Sequence, residues 1–412
     1  MHHANAYSGA SRSVLVLGPT RSGKTSALLI PNVLTFTGAV VTTSTKDDVL
    51  VATAASRSRS GHVALFDPSG TVATPRGVTR VGWSPVAGSS SWDGAVLAAD
   101  ATVDAARLRA RGSAAPDHWS DRARALLAPL LHAAALRGLG VEAVAGWVDG
   151  RDGADALGIL VRSRGAEHQS AASLAGVLAT EDRELSGIWS TTAGLLSAWR
   201  TDAARAAARA PAIDLRAFVA GPNTLHVVAP SRYQQSAAPL VAGLLDAIVH
   251  ATYDGHHAGA RTLLALDELA NVAPLPALPS IVSEGAGQGV LVLGCLQDLS
   301  QARVRWGAAA EGFLSLFPTT VVLAGIADRA TLDSISAIAG RHLRQSRSVA
   351  SGRGRRGATT SSLVERPRLA VDEIARGRPG CALVLDAAKR CSWVRLCPAH
   401  DDARLSAHLG DR

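Results

Sequence analysis

The sequence predicts an α/β fold in which a mostly parallel central sheet is split by an inserted all-helical segment. From residue 13 to residue 83, short apolar runs rich in Val, Leu and Thr alternate with helical runs, and the same pattern returns after residue 223. This alternation is typical of parallel strands whose two faces are both covered by helices. Between these two parts, β-branched runs are scarce, and Ala and Leu recur at helical spacing.

Each strand of the split sheet corresponds to one apolar run. The first part contains "SVLVLG", "GAVVTTS" and "HVALFDP", with helices that begin near Lys24 and run through "KDDVLVATAASRS". The second part contains "NTLHVVAP", "RTLLALDE", "GVLVLGC", "TTVVLAG" and "CALVLD", which we expect to continue the parallel pattern. The predicted boundaries are 1–85 and 223–412 for the two parts of the α/β domain and 86–222 for the helical insertion.

The strongest helix of the insertion is predicted in "DHWSDRARALLAPLLHAAALRG". Asp117 is its expected N-cap, because a carboxylate there accepts a hydrogen bond from the first helical turn. Apolar residues three or four positions apart form one face of this helix, which indicates that the face is buried. They are Trp119, Ala123, Leu126, Leu130 and Ala134.

Composition restricts the class of protein. The chain is 47% hydrophobic and 18% charged, as expected of a soluble globular protein. Its net charge of +8 permits a polyanionic partner, although a solvated basic surface explains the charge equally well. No signal peptide is visible, and no apolar stretch reaches the roughly 18–20 residues that a membrane span requires. The chain as given is therefore expected to be cytoplasmic.

The segment "GPTRSGKT", from Gly18 to Thr25, matches G-x-x-x-x-G-K-[ST] and lies between a predicted strand and a predicted helix. In such a P-loop, glycines let backbone N–H groups converge on phosphate oxygens at a helix N-terminus. Lys24, one of three lysines, is expected to reach the β- and γ-phosphates of ATP, and the Thr25 hydroxyl to ligate Mg²⁺. The predicted nucleotide-binding residues are Gly18, Pro19, Thr20, Arg21, Ser22, Gly23, Lys24, Thr25 and Ser26.

A P-loop enzyme also needs carboxylates at the end of a nearby strand, and "TLLALDELAN" supplies two. Asp267 is the predicted Mg²⁺ ligand, and Glu268 the predicted general base that activates water. About thirty residues later, "GVLVLGCLQDLSQ" ends a strand at Gln297, which we expect to orient water and sense the γ-phosphate. Lys24, Glu268 and Gln297 are the candidate catalytic residues.

Taken together, these motifs resemble the coupling ATPases of conjugation and type IV secretion (TraG/TraD-like), in the FtsK/HerA branch of RecA-like motors. "GPTRSGKTSALLIPNVL" is similar to the family's P-loop with its Ile-Pro-Asn segment, and "VVTTSTKDDVL" to its second-strand motif, where Lys46 is retained. "LFDPSG" with "WSPVAG" resembles the motifs before the family's helical domain. The acidic motif, linker and glutamine strand, and the late "ERPRLAVDEIARGRPGCALVL", also match in order.

The resemblance implies a RecA-like P-loop NTPase that forms a homo-hexameric ring and hydrolyses ATP with Mg²⁺. It also implies that the ring moves relaxase-bound single-stranded DNA, or a protein substrate, to the channel of a type IV secretion system. Family members usually carry an N-terminal membrane anchor, whereas this sequence begins shortly before the P-loop. The chain is therefore expected to be a fragment or a soluble form that contacts the cytoplasmic face of the membrane through a partner or a missing segment.

Two groups of arginines have no assigned role in these motifs. The family often has an arginine where "EGAGQG" has Ala286, so Arg303, Arg305 and Arg341 become the candidates for a trans-acting arginine. Residues 341–368, predicted to be a loop or disordered segment, contain eight arginines. We hypothesise that this segment faces the ring channel and contacts DNA phosphates, with a solvated surface loop as the alternative.

Two other functions fit the same motifs. One is a double-stranded DNA translocase of the FtsK/HerA type, in which the helical insertion would not recognise the substrate. The other is an adaptor that binds nucleotide without hydrolysing it. This fits the second-strand motif, where Ser44 replaces the family's aspartate, and the absence of the family's arginine at Ala286. Intact Lys24, Asp267 and Glu268 favour hydrolysis, because an adaptor has no need of a general base.

Overall fold

A computed structural model describes residues 12–109, 118–349 and 359–409 of the chain. Within these residues ten strands form one sheet. Eight neighbouring strands, from Thr319–Val322 to Thr79–Arg80, are all parallel. The predicted α/β class with a mostly parallel sheet is confirmed. From one edge to the other the strands are β12 (Cys391–Arg395), β11 (Cys381–Leu385), β8 (Thr319–Val322), β1 (Val14–Leu17), β7 (Val290–Leu296), β6 (Thr262–Leu266), β2 (Ala39–Ser44), β5 (Thr224–Val228), β3 (Val63–Phe66) and β4 (Thr79–Arg80).

The sheet departs from the parallel pattern at one edge. β11 pairs antiparallel with both β8 and β12, so the prediction that "CALVLD" continues the parallel pattern is wrong. An apolar run indicates a buried strand but does not encode its direction, which depends on the path of the connecting chain. Only five residues separate β11 from β12 (386–390), and a connection this short permits an antiparallel hairpin but no parallel crossover.

The register of the central strands determines where the candidate site residues emerge. Leu17 at the end of β1 lies opposite Leu296 at the end of β7. Leu266 at the end of β6 lies opposite Gly294 of β7. Because the three strands are parallel neighbours, the segments that follow them leave the sheet at the same carboxyl edge, with the segment after β7 in the middle.

Helices cover both faces of the sheet, so that successive residues of one strand enter two separate cores. Leu15 and Leu17 of β1 belong to one buried cluster, and Val16 belongs to the other. The helices are α1 (Ile30–Thr35), α2 (Asp48–Arg57), α3 (Trp92–Arg109), α4 (His118–Leu136), α5 (Val141–Gly150), α6 (Ala154–Arg162), α7 (His168–Leu178), α8 (Asp182–Leu195), α9 (Asp202–Arg209), α10 (Leu215–Val219), α11 (Gln234–Gly255), α12 (Leu278–Glu284), α13 (Leu299–Trp306), α14 (Phe313–Leu316), α15 (Arg329–Ala339) and α16 (Val371–Arg376).

Helices α3 to α10 follow β4 and precede β5, with α4 at their centre. The predicted apolar face of α4 is buried at four of its five positions, and those four side chains are completely inaccessible to solvent. Trp119 in the first turn is the exception, with 42% of its surface exposed. The predicted N-cap, Asp117, lies outside the described residues. The buried face packs against the neighbouring helices α3, α7 and α8.

One helix is longer and more apolar than the sequence analysis expects. The helical stretch Ser231–Ala258, which includes α11, spans 28 residues and meets the length and composition of a membrane span. The prediction that no apolar stretch is long enough to span a membrane is therefore wrong by length and composition. However, 67% of its most apolar window is buried inside the protein, and Leu244, Leu245 and Ile248 belong to the main core. Such burial is typical of a core helix, and a single helix of this kind is weak evidence for a membrane span.

Arg57 connects two loops at the amino end of the sheet. Its guanidinium is almost completely buried and donates to the carbonyl oxygens of Phe36 (2.5 Å), Gly38 (2.9 Å) and Pro222 (3.0 Å). It also donates to the Thr224 hydroxyl at 2.7 Å. Because a buried cation is costly without partners, these four acceptors make Arg57 a clamp between the loops that precede β2 and β5.

The two remaining strands form a separate antiparallel ribbon between α15 and α16: β9 (Arg341–Val349) and β10 (Thr359–Pro367). The prediction of a loop or disordered segment is therefore wrong for these two stretches, while residues 350–358 lie outside the described residues. A ribbon is held by backbone hydrogen bonds, so a polar sequence can form it. Leu343 and Leu363 are 65% and 69% exposed, which explains why apolar patterning gives no signal here.

His226 is a buried polar residue in the middle of β5. Its ring is fully buried, and Nδ1 lies 2.8 Å from the Thr42 hydroxyl on β2. Burial, together with the charge of Arg57, lowers the pKa of His226 to about 3. The folded protein therefore keeps this histidine neutral, whereas the unfolded chain binds a proton near pH 6.5.

We predict that His226 makes the protein less stable as the pH falls from 6.5 towards 3, because only the unfolded chain takes up this proton. The stability advantage of the wild type over His226→Gln should shrink by about 1.4 kcal/mol per pH unit below 6.5, or roughly 2 kcal/mol between pH 7.5 and pH 5. Urea unfolding of both proteins at several pH values measures this difference. Parallel stability curves for the two proteins would contradict the prediction.

Candidate active site

The P-loop leaves β1 at Gly18 and turns into a helix at Thr25, whose first five residues, Thr25–Leu29, form a wide π-helical turn. Gly18 donates its backbone N–H to the Leu296 carbonyl at 3.0 Å, which fixes the start of the loop against β7. Two loop residues adopt left-handed backbone conformations, Arg21 at φ 61° and Gly23 at φ 90°. Such a conformation costs little for glycine and more for arginine, so the loop is held in one strained, defined shape.

Lys24 is 8% exposed, and its ammonium group is folded over the loop. Nζ donates to the carbonyl oxygens of Gly18 (2.6 Å) and Pro19 (2.7 Å). Thr20 and Arg21 are exposed, and the Ser26 hydroxyl lies 3.5 Å from the Gly23 carbonyl. Within the described residues, the buried Ser22 hydroxyl has no hydrogen-bond partner. A buried hydroxyl without a partner is costly, and it fits a loop that receives a polar ligand.

The P-loop and the acidic motif meet directly. The Thr25 hydroxyl donates to a carboxylate oxygen (Oδ2) of Asp267 at 3.0 Å, although the two residues are 242 positions apart in the chain. Burial raises the pKa of Asp267 to about 6, with the Thr25 hydrogen bond lowering it and the charge of Glu268 raising it. The Asp267 carbonyl accepts a hydrogen bond from the Thr43 hydroxyl on β2, and the Asp267 N–H donates to the Thr43 carbonyl, both at 3.1 Å. The site is thus a buried acidic pair whose charge Lys24 offsets in part, which suits a divalent cation.

Glu268 adopts a left-handed backbone conformation at φ 55°. For a residue with a β-carbon this conformation costs of order 1–3 kcal/mol. It is held by the Glu268 carbonyl, which accepts from the backbone N–H groups of Asn271 and Val272, each at 2.9 Å. The Asn271 side-chain amide also donates to Oε2 of the Glu268 carboxylate at 3.2 Å. The carboxylate is therefore oriented from both its backbone and its tip.

Gln297 follows β7, between the P-loop and the acidic pair at the carboxyl edge of the sheet. Its backbone N–H donates to the Gln301 side-chain oxygen at 2.9 Å. Cys295, two residues earlier, is completely buried, and burial, with the neighbouring Asp267 charge, raises the pKa of its thiol. Cys295 is therefore a packing residue rather than a nucleophile.

Residues 4–387 match the family model described as "Type IV secretory system Conjugative DNA transfer". The chain belongs to this family. The resemblance identified from the order of the sequence motifs is thereby confirmed. No curated protein matches the chain by sequence.

Solved structures with the same fold include several of the conjugative coupling protein TrwB. The unbound monoclinic form of TrwBdeltaN70 is 20% identical, with a TM-score of 0.69 over 94% of this chain and 85% of that one. TrwB in complex with a non-hydrolysable ATP analogue is also 20% identical, with a TM-score of 0.69 over 98% of this chain and 89% of that one. TrwB with ADP and Mg²⁺ is similar, at 20% identity and a TM-score of 0.68 over 94% and 85%. At this level of identity the likeness shows a common fold.

Two of the candidate trans-acting arginines form ion pairs within this chain. Arg303 on α13 pairs with Asp328 at 3.2 Å and with Glu311 at 3.5 Å. Arg341 at the start of the β9–β10 ribbon pairs with Glu365 at 3.3 Å. Each arginine is thus held by a local carboxylate of its own chain.

Several contacts around the site were not identified from the sequence. The Asn271 side chain orients the Glu268 carboxylate, and the Gln301 side chain accepts from the Gln297 backbone N–H. The only sequence signal is that each lies three or four residues after its partner. The C-terminal segment also reaches the P-loop helix, where the Ala399 backbone N–H donates to the Ser26 carbonyl at 2.8 Å. Hydrogen bonds of this kind depend on the folded chain path and leave no motif.

We predict that Gly18→Ala destabilises the protein by about 1–3 kcal/mol, because the new methyl group overlaps its neighbours. A β-carbon at this position would lie 2.8 Å from the Leu323 β-carbon and 2.9 Å from the Ser22 hydroxyl. Thermal or urea unfolding measures the effect. The matched control is Gly312→Ala, an exposed position with an ordinary φ of −83° and open space around a β-carbon, which should change stability by less than about 0.5 kcal/mol. Equal stability of both variants would contradict the close packing at Gly18.

Proposed function

We propose that this protein is an ATP-hydrolysing coupling protein that moves DNA, as a relaxase-bound single strand, or a protein substrate to a type IV secretion channel. Membership of the conjugative DNA-transfer family supports the biological setting. The single observation that supports the chemistry is the 3.0 Å bond from the Thr25 hydroxyl to the Asp267 carboxylate, which unites two distant motifs at one point. A P-loop and a strand-end carboxylate in contact are what a nucleotide with its Mg²⁺ requires.

The residues present fit Mg²⁺ and ATP on three structural grounds. The P-loop glycines leave a cradle at a helix N-terminus, and the Ser22 hydroxyl inside it has no partner among the described residues. Thr25 and Asp267 supply neighbouring oxygen ligands of the kind that Mg²⁺ prefers. Burial raises the pKa of Asp267 to about 6, so a bound cation would stabilise its ionised form.

Each residue then has a defined task. Bound ATP with Mg²⁺ supplies the transferable phosphoryl group and the charge that polarises it. Lys24 holds phosphate oxygens once its ammonium group leaves the Gly18 and Pro19 carbonyls. Glu268, oriented by Asn271, accepts the proton of the attacking water, and Gln297 orients that water between the P-loop and the acidic pair.

The assembly and location follow from the family resemblance and are part of the proposal. We infer a homo-hexameric ring that acts at the cytoplasmic face of the cell membrane, brought there by a partner or by a segment outside the given sequence. Solved TrwB structures contain ADP with Mg²⁺, or analogues of GTP or ATP, which supports ATP and Mg²⁺ as the ligands of the same loop here. In such a ring, the carboxyl edge of each sheet would be positioned to convert nucleotide turnover into movement.

We predict ATP hydrolysis that single-stranded DNA stimulates and that Lys24→Ala abolishes. Glu268→Gln should lower kcat by about 10²–10⁴-fold while nucleotide binding is retained, because the amide cannot accept the proton. Steady-state phosphate release, with ATP binding measured in parallel, tests both variants. The matched control is Glu167→Gln, which removes an exposed carboxylate in the helical region and should leave turnover unchanged.

Three outcomes would contradict the proposal or part of it. Equal turnover in Glu268→Gln would remove Glu268 from the role of general base. Nucleotide binding without turnover in the wild type, with or without DNA, would favour the non-hydrolysing adaptor. Stimulation by duplex DNA alone would favour a double-stranded DNA translocase of the FtsK/HerA type.

A further inference from the structure

Almost all of the net positive charge of this protein lies in one short segment. Residues 341–368 contain eight arginines and one glutamate, which leaves 34 basic and 33 acidic residues in the rest of the chain. The chain as a whole carries +8, so this segment accounts for +7 of it. A charge concentrated in this way is typical of a site for a polyanion, whereas a basic surface that serves only solubility is spread out.

The β9–β10 ribbon presents part of this charge on one face. Residues that are directly opposite in an antiparallel pair share a face, and here Arg344 is opposite Val364 and Arg366 is opposite His342. Arg344 and Arg366 are therefore diagonal neighbours on one face, with their Cα atoms about 7–8 Å apart across the two strands. The other face has the exposed Leu343 and Leu363. The first face thus carries two arginines and, among the described residues, no carboxylate, whereas the other face carries the ion pair of Arg341 and Glu365.

The two arginines on the basic face are available to a ligand. Arg344 and Arg366 are exposed, and neither makes an ion pair within the described part of the chain. By contrast, Arg341 on the opposite face is paired with Glu365, and Arg368 donates to the Arg341 carbonyl at 3.5 Å. The ribbon therefore uses some arginines for its own structure and leaves the basic face without a counter-ion.

The chemistry of the segment favours phosphates over bases. Residues 341–368 contain no Phe, Tyr or Trp, so they offer no surface on which bases stack. Arginine binds phosphate oxygens through two parallel hydrogen bonds, and such contacts carry no sequence information. In a family of DNA-transfer proteins, the polyanion with a regular array of phosphates is DNA.

We propose that the β9–β10 ribbon binds the phosphate backbone of the transported DNA through Arg344 and Arg366. This inference rests on the proposed function only in taking DNA as the polyanion. It assigns to the ribbon a sequence-independent grip, suited to a motor that must hold any sequence while it moves along the strand. The contact is electrostatic, so it must weaken with salt in proportion to the number of phosphates neutralised.

The test is fluorescence anisotropy of a labelled DNA oligonucleotide, single-stranded or duplex, titrated with the full chain between about 50 and 200 mM salt. For Arg344→Gln with Arg366→Gln, the slope of log affinity against log salt should fall by about 1.4 for a single strand or about 1.8 for a duplex. The DNA form whose slope falls by its expected amount, while the slope of the other form stays unchanged, is the form that the ribbon binds. The matched control is Arg137→Gln with Arg164→Gln, which removes two exposed arginines from the helical region and should leave the slope unchanged.

A companion variant, Arg344→Lys with Arg366→Lys, keeps the charge and should retain the wild-type slope. An unchanged slope in the glutamine variant, or an equal fall in the control, would overturn the proposal. Loss of binding to phosphatidylserine vesicles by the glutamine variant, with the DNA slope unchanged, would also overturn it, because the ribbon would then contact lipid. Loss of self-association in sedimentation, with the DNA slope unchanged, would mean that the ribbon contacts a second copy of the chain. A wild type without ATP turnover but with the expected slopes would refute the proposed motor and leave the ribbon proposal intact.

Discussion

The structure depends on the parallel order of three neighbouring strands, β1, β7 and β6. Parallel strands deliver their carboxyl ends to one edge, and this is what brings the Thr25 hydroxyl to 3.0 Å from the Asp267 carboxylate. The same order places Gln297 between the P-loop and the acidic pair. Because every residue of β7 is buried and its apolar side chains pack in the cores on the two faces of the sheet, the spacing of the three site segments is set by the core of the protein.

This constraint leaves much of the chain free to vary. Eight helices intervene between β4 and β5, yet both parts of the sheet pair through β2, β5 and β3 as if the chain were continuous. Arg57 reinforces that junction at the opposite edge, where it bonds to the loops before β2 and β5. The catalytic edge is therefore left for the site itself, and its strained residue, Glu268 at φ 55°, is supported by neighbouring backbone bonds.

The sequence predicted well whatever has a local pattern. The P-loop, the acidic pair and the strand before Gln297 each combine a short motif with an apolar run, and the structure brings their positions to one edge. It did not predict strand direction, as at β11, or contacts between distant segments, as from the Ala399 N–H to the Ser26 carbonyl. Nor did it predict the local bond from Asn271 to Glu268, which lies in a turn that no motif defines. The β9–β10 ribbon was missed because it is held by backbone bonds rather than by buried side chains.

The most direct test of the central claim is a double-mutant cycle with Thr25→Val and Asp267→Asn, read as affinity for a non-hydrolysable ATP analogue by calorimetry. If both side chains hold one Mg²⁺ ion, the double variant should lose little more affinity than the weaker-binding single variant. The coupling should be roughly 0.5–3 kcal/mol with Mg²⁺ and disappear when a chelator removes the ion. Losses that simply add, or a coupling that the chelator leaves unchanged, would contradict a shared metal site at the edge of the sheet.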